Sequence, residues 1–120
     1  MRTTPVILIV DDEPLVRLGV AQTIEDAGFE IIEAANADEA IRILESRSDI
    51  RAVFTDIHMP GSMDGLKLAH AVRNRWPPIK IIVTSGREFL TEEDLPEGGL
   101  FFAKPYDPIQ ISDVLREWAL

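Results

Sequence analysis

Short apolar runs alternate along this chain with stretches whose apolar residues recur at helical spacing. The runs are VILIV at 6–10, EIIEA at 30–34, RAVFT at 51–55, IKIIV at 79–83 and LFFA at 100–103. Four- to six-residue runs separated by helical segments are the pattern of βα units built around a parallel sheet. The first and fourth runs are apolar almost throughout, as expected of strands covered on both faces. The second is weaker, with acidic residues at 30 and 33.

The intervening segments carry helix start and stop signals. The first helix is expected from near Glu13, with Pro14 in its first turn where a missing N–H costs nothing. It buries Val16, Val20, Ile24 and Ala27 and stops at Gly28, a natural residue after a helix end. The second opens at Asn36, with Glu39 three residues later as a capping box, and turns Ala40, Ile41 and Leu44 inward. The third runs from about Asp64 to Arg75, buries Leu68, Ala69 and Val72, and is stopped by Pro77-Pro78. The last spans Pro108 to Trp118, with Ile111, Val114, Leu115 and Trp118 spaced to face the sheet. Between the fourth and fifth runs, GREFLTEEDLPEGG at 86–99 leaves room for about two helical turns from Thr91 before Pro96 and Gly98-Gly99 intervene. A short, mobile fourth helix is expected there. Five βα units in succession predict a three-layer, doubly wound α/β domain over residues 1–120.

Size and charge narrow the function classes. One hundred and twenty residues suffice for one core. No apolar run approaches the roughly 20 residues of a membrane span. The start, MRTTPVILIVDD, runs from an apolar stretch straight into acids rather than into a cleavage site, which favours the cytoplasm. The absence of cysteine excludes disulfides, thiol catalysis and Cys-ligated zinc. Twelve basic against twenty-one acidic residues give a net charge of −9, which repels phosphate backbones and argues against direct nucleic-acid binding.

The chemistry lies where the strands end. Asp11 and Asp12 follow the first run, Asp56 the third, Thr84 and Ser85 close the fourth, and Lys104-Pro105 follows the fifth. In a parallel sheet these ends converge on one crevice. Asp11-Asp12 alone reads equally as a solvated turn whose acids face a helix N-terminus. Asp56 tips the balance by repeating the pattern. Two like charges about 4 Å apart repel by roughly 4 kcal/mol at an effective dielectric near 20, so three carboxylates call for a cation or raised pKa values. With oxygen ligands and no cysteine, Mg²⁺ or Mn²⁺ is favoured. Thr84 suits a strand end in any case, Lys104 reads also as a surface lysine, and the His58 side chain is not required as a ligand.

In these four motifs, taken in order, the chain resembles the response-regulator receiver domains of two-component signalling over essentially its whole length. The single-domain, chemotaxis-regulator-like type is the nearest comparison. PPIKIIVTSGR and LPEGG–FFAKPY are similar to stand-alone or kinase-linked receivers. The resemblance implies a flavodoxin-like (βα)5 fold with strand order 2-1-3-4-5, here with a shortened fourth helix. It implies that Asp56 accepts a phosphoryl group. Asp11, Asp12, Asp56 and the backbone carbonyl of His58 would hold Mg²⁺, with Mn²⁺ as a substitute. Thr84, with Ser85 sharing the role, and Lys104 would bind the phosphoryl oxygens. A cis bond is implied at Pro105, and Phe101 sits at the position of the rotameric switch aromatic, with Phe102 as plain core. A carboxylate is a weak nucleophile, but phosphoryl transfer is mostly positioning and electrostatics.

The implied partners are a histidine kinase, or a small phosphodonor, and a downstream protein or phosphotransfer partner. No nucleic acid or membrane is expected, and the chain is expected to be a monomer or weak dimer. Its only catalysis would be its own phosphorylation and dephosphorylation, so it is not expected to be an enzyme in the ordinary sense. With no DNA-binding segment after Leu120, output is expected through protein contact or phosphorelay, unless the chain is a piece of a larger regulator. Two departures stand out. The loop DIHMPGSMDG is one residue longer than D-x-x-M-P-x-M-D-G, so Gly61, Ser62 and Met63 are expected to reshape one wall. The short fourth helix puts the usual pairing face in doubt. Two rival readings remain. One is an inactive pseudo-receiver scaffold, although no acid or lysine is missing. The other is a Mg²⁺-dependent phosphohydrolase with an aspartyl intermediate, although His58 occupies the place of the second Asp that such enzymes use.

Overall fold

The alternation of apolar and helical segments folds as a parallel sheet with helices on both faces. The computed structural model describes residues 4–59, 61, 63–86, 90–118 and 120. Five strands, β1 (Val6–Val10), β2 (Glu30–Ala34), β3 (Ile50–Asp56), β4 (Lys80–Ser85) and β5 (Leu100–Ala103), form one sheet in the order β2-β1-β3-β4-β5. All neighbouring pairs are parallel. Among the described residues there are four helices: α1 (Pro14–Asp26), α2 (Ala37–Ser46), α3 (Gly65–Arg75) and α4 (Pro108–Glu117). The fold is the expected flavodoxin-like α/β sandwich.

Side-chain alternation along the strands divides the core into two clusters. Val6, Leu8 and Val10 of β1 point one way, into a layer with Ala40 and Leu44 of α2 and Leu68, Ala69 and Val72 of α3. Ile7 and Ile9 point the other way, onto Val20, Ala21 and Ile24 of α1 and Ile111 and Leu115 of α4. Every residue of β1 is buried, because helices cover both of its faces. At roughly 25 cal/mol per Å² of apolar surface removed from water, these two layers supply the main stabilisation of the fold.

The local signals act as expected. The Asn36 side chain accepts the Glu39 N–H at 2.8 Å, and Asp64 accepts that of Lys67 at 2.8 Å. Each satisfies an amide that a helix N-terminus would leave unpaired. The chain leaves α1 through Gly28 with φ at +101°, a conformation that favours glycine.

The expected short fourth helix is corrected. Thr91–Gly99 forms turns, and α4 is the helix that follows β5. The Asp94 carboxylate accepts from both the backbone N–H and the hydroxyl of Thr91, an arrangement that competes with a helical start. Pro96 and the positive φ of Gly98 keep the chain turning. The segment is fastened from α3 instead. His70 Nε2 lies 2.8 Å from the Asp94 carbonyl, and the Arg73 guanidinium donates to the carbonyls of Pro77 and Glu97. Arg87, Glu88 and Phe89, which precede the expected helix, lie outside the described residues. So does Ser62 of the lengthened loop.

Gly65 determines how closely α3 meets the end of β3. Its N–H donates to the Ile57 carbonyl at 2.9 Å, and a Cβ built there would sit 1.7 Å from the Asp56 carbonyl oxygen. No side chain fits without moving the backbone that carries Asp56. Gly65→Ala is therefore expected to lower stability by about 2 kcal/mol or more, the range of forced overpacking, read as a reduced urea midpoint. A midpoint equal to wild type would show that this approach is not tight.

Candidate functional site

The C-terminal ends of β1, β3, β4 and β5 meet at one rim, and each delivers a polar side chain there. Asp56 and Thr84 are register partners on adjacent strands. The Ile57 N–H donates to the Thr84 carbonyl, and the Lys104 N–H to the Ser85 carbonyl, so pairing extends past the last apolar residues. This places Lys104 against Asp56, with Nζ 3.3 Å from Oδ1. The Lys104–Pro105 bond is cis.

Asp11 is anchored from several sides. Its Oδ1 accepts the Glu13 N–H at 2.9 Å, and Arg17 donates to its backbone carbonyl at 2.6 Å. Arg17 also pairs with Glu33 at 2.9 Å, which ties α1 to β2 behind the acids. Ligand oxygens from Asp11, Asp12, Glu13 and Asp56 all lie within 4.8 Å of one another. Asp12, Glu13, Asp56, His58, Gly86 and Lys104 line a cavity of about 350 Å³ over them.

The electrostatics are those of charge held out of water. Asp11 is fully buried and Asp56 is 3% exposed. Burial, ahead of every other influence, pushes both carboxyls above the ordinary value of 3.8. For Asp56 the Lys104 ammonium pulls the other way, and the Asp12 charge adds to the rise. Asp11 Oδ2 and Thr84 Oγ1 are buried here without a hydrogen-bond partner among the described residues. Buried polar atoms are almost always satisfied, so both point to a ligand. A hard cation suits the donor set: carboxylate oxygens only, one of them buried and unpaired. The residues present fit Mg²⁺.

Asp11, Asp12, Asp56, Thr84 and Lys104 converge, and Ser85 is buried at the same strand end. His58 lines the cavity. Phe101 packs on the α2–α3 side and Phe102 on the α1–α4 side, and both remain partly exposed. Three contributors were missed. Glu13 joins the acidic cluster, a role that the triplet DDE could have suggested. Arg17 and Tyr106 reach the rim through tertiary packing and left no local signal.

Comparison with known proteins agrees with this geometry. The response regulator receiver domain model matches residues 7–116, and the chain belongs to that family. It is 33% identical over 115 residues to the sensor kinase CckA of Brucella abortus, covering 92% of this chain but 12% of that kinase. A response regulator receiver protein from Sinorhizobium medicae superimposes with a TM-score of 0.88 at 28% identity, covering 95% of this chain and 93% of that one. Response regulator protein TrrA of Thermotoga maritima, solved in complex with Mg(2+)-BeF, gives 0.80 at 27% identity, covering 95% and 98%. The chain is thus a phosphoaccepting receiver, and it spans less than a quarter of the length of several curated relatives that it matches.

Because folding raises the carboxyl pKa values, the folded state binds these protons more tightly than the unfolded chain does. Ionising them costs stability. The cost is absent below pH 3.8 and fully felt once pH has risen past the folded values. Asp11→Asn keeps the oxygen that accepts the Glu13 N–H and removes the charge. The cation-free variant is expected to be more stable than wild type at pH 7. The gain should vanish below pH 3.8. A variant less stable than wild type at pH 7 would contradict this.

Proposed function

We propose that Asp56 is the phosphoacceptor, and that the chain passes its phosphorylation state to a partner protein as a conformational signal. The observation that carries this reading is the Lys104–Asp56 contact beside the unpartnered Thr84 hydroxyl. Among the four clustered carboxylates, Asp56 alone has a lysine ammonium within 4 Å and a hydroxyl on the adjacent strand.

On this reading an Asp56 oxygen attacks phosphorus while the bond to the donor's imidazole nitrogen breaks. The electron pair of that bond stays on the leaving nitrogen, and the product is an acyl phosphate. Transfer of this kind is governed by positioning and charge, so the site requires no base for Asp56. Asp11, Asp12 and Asp56, with the His58 backbone carbonyl, would hold Mg²⁺, which neutralises phosphoryl charge when bound. Lys104 holds Asp56 in place beforehand and then meets a phosphoryl oxygen. Thr84 donates its hydroxyl to another. The new group brings roughly two negative charges and three acceptor oxygens, and Phe101 would follow Thr84 inward, held by packing because Phe has no hydroxyl.

A histidine kinase is the proposed donor, supported by the match to a stretch of a sensor kinase. Output would pass to a downstream protein or onward as a phosphoryl group from a cytoplasmic monomer or weak dimer. The chain would catalyse only its own modification. Among the described residues no helix is long and apolar enough to cross a membrane. The scaffold reading has nothing here to favour it, since the acids and the lysine are together.

Acetyl phosphate with Mg²⁺ is expected to add the mass of one phosphoryl group, and chelation by EDTA to abolish the gain. Asp56→Asn is expected to take up none. Equal labelling of that variant would transfer the role elsewhere.

A further inference from the structure

At this rim, among the described residues, the unpartnered Thr84 Oγ1 is accounted for by a phosphoryl group, and Asp11 Oδ2 by a cation that leaves this oxygen a lone pair for one hydrogen bond. The buried hydroxyl of Tyr106 is not accounted for. Tyr106 follows Lys104-Pro105 directly, and its ring is fixed edge-on against Phe54 with centroids 5.6 Å apart. Phe54 lies two residues before Asp56 on the same strand. The ring also lines a groove of about 630 Å³ that shares Glu13, Gly86 and Lys104 with the acidic cavity. Burial first, then the charges of Asp11, Asp56 and Glu13, holds its proton well above the ordinary phenol range. The group is therefore a neutral donor at the edge of the acidic cluster.

We propose that Tyr106 is a positioning residue for the acidic crevice: its hydroxyl donates to a water that Asp11 also holds, and so orients Asp11 towards a bound cation. The logic is complementarity. A carboxylate only accepts, and the second oxygen of Asp11 has no donor, while the phenol has a proton and no acceptor. They are not bonded to each other, and one water between them would satisfy both. Mg²⁺ sites retain several waters, and hydrogen bonds to the ligands of such sites set their orientation and affinity. Phenylalanine at this position would fill the same space and lack that proton.

This inference rests on the cation reading above, and the test separates the two. Tyr106 is the only tyrosine, so 3-fluorotyrosine labelling gives a single ¹⁹F resonance. The resonance is expected to move as Mg²⁺ saturates the wild-type protein. By calorimetry, Tyr106→Phe is expected to bind Mg²⁺ about tenfold more weakly, with a thermal midpoint equal to or above that of wild type. An unchanged Mg²⁺ affinity in the variant, or a resonance indifferent to Mg²⁺, overturns the role of Tyr106. The ¹⁹F titration decides the matter should the variant not fold. Absence of Mg²⁺ binding by wild type overturns the cation reading and this inference together.

Discussion

Two carboxylates, Asp11 and Asp56, are held together out of water, and one lysine ammonium, that of Lys104, offsets only part of their charge. Much else at this rim is arranged around that imbalance. Arg17 fixes the Asp11 backbone. Gly65 lets α3 close on the Asp56 carbonyl with no side chain between. The pairing of β3 with β4 sets Thr84 beside Asp56. The charges are unfavourable for folding and are sustained by the two apolar layers beneath them. Native proteins commonly carry such locally costly arrangements at functional sites.

The same imbalance gives a physical basis for switching. A site that is short of positive charge and holds an unpaired hydroxyl is poised to respond to any ligand that supplies or redistributes charge. On the proposed reading, a cation relieves the repulsion and a phosphoryl group then engages Lys104 and Thr84. Phe101 and Phe102 lie on opposite faces of β5, so a displacement of that strand's end would reach both core layers. The neighbouring segment, Thr91–Gly99, is held by polar bonds from His70 and Arg73 rather than by helical packing.

The fold was legible because local rules and tertiary structure agree almost everywhere. VILIV reads as a doubly covered strand and is one, and the caps at Asn36 and Asp64 sit where the pattern put them. The exception is Thr91–Gly99. There the side chain of Asp94 bonds back to Thr91 and closes a turn that composition alone does not distinguish from a helix start. The bonds that complete it come from α3, 24 residues away. The site was legible in its reactive groups, since each follows an apolar run. Its support was not: Arg17 and Tyr106 reach the rim only because α1 and the turn before α4 pack against the same strand ends.

The claim that most depends on this geometry is that one carboxylate of the four is the acceptor. Reduction of the phosphorylated protein with borohydride converts an acyl phosphate to homoserine, and peptide mass spectrometry then locates it. The account predicts homoserine at position 56 and at no other. Homoserine at position 11 or 12, 2-amino-5-hydroxypentanoic acid at position 13, or a phosphorylated protein that yields neither alcohol, would contradict it.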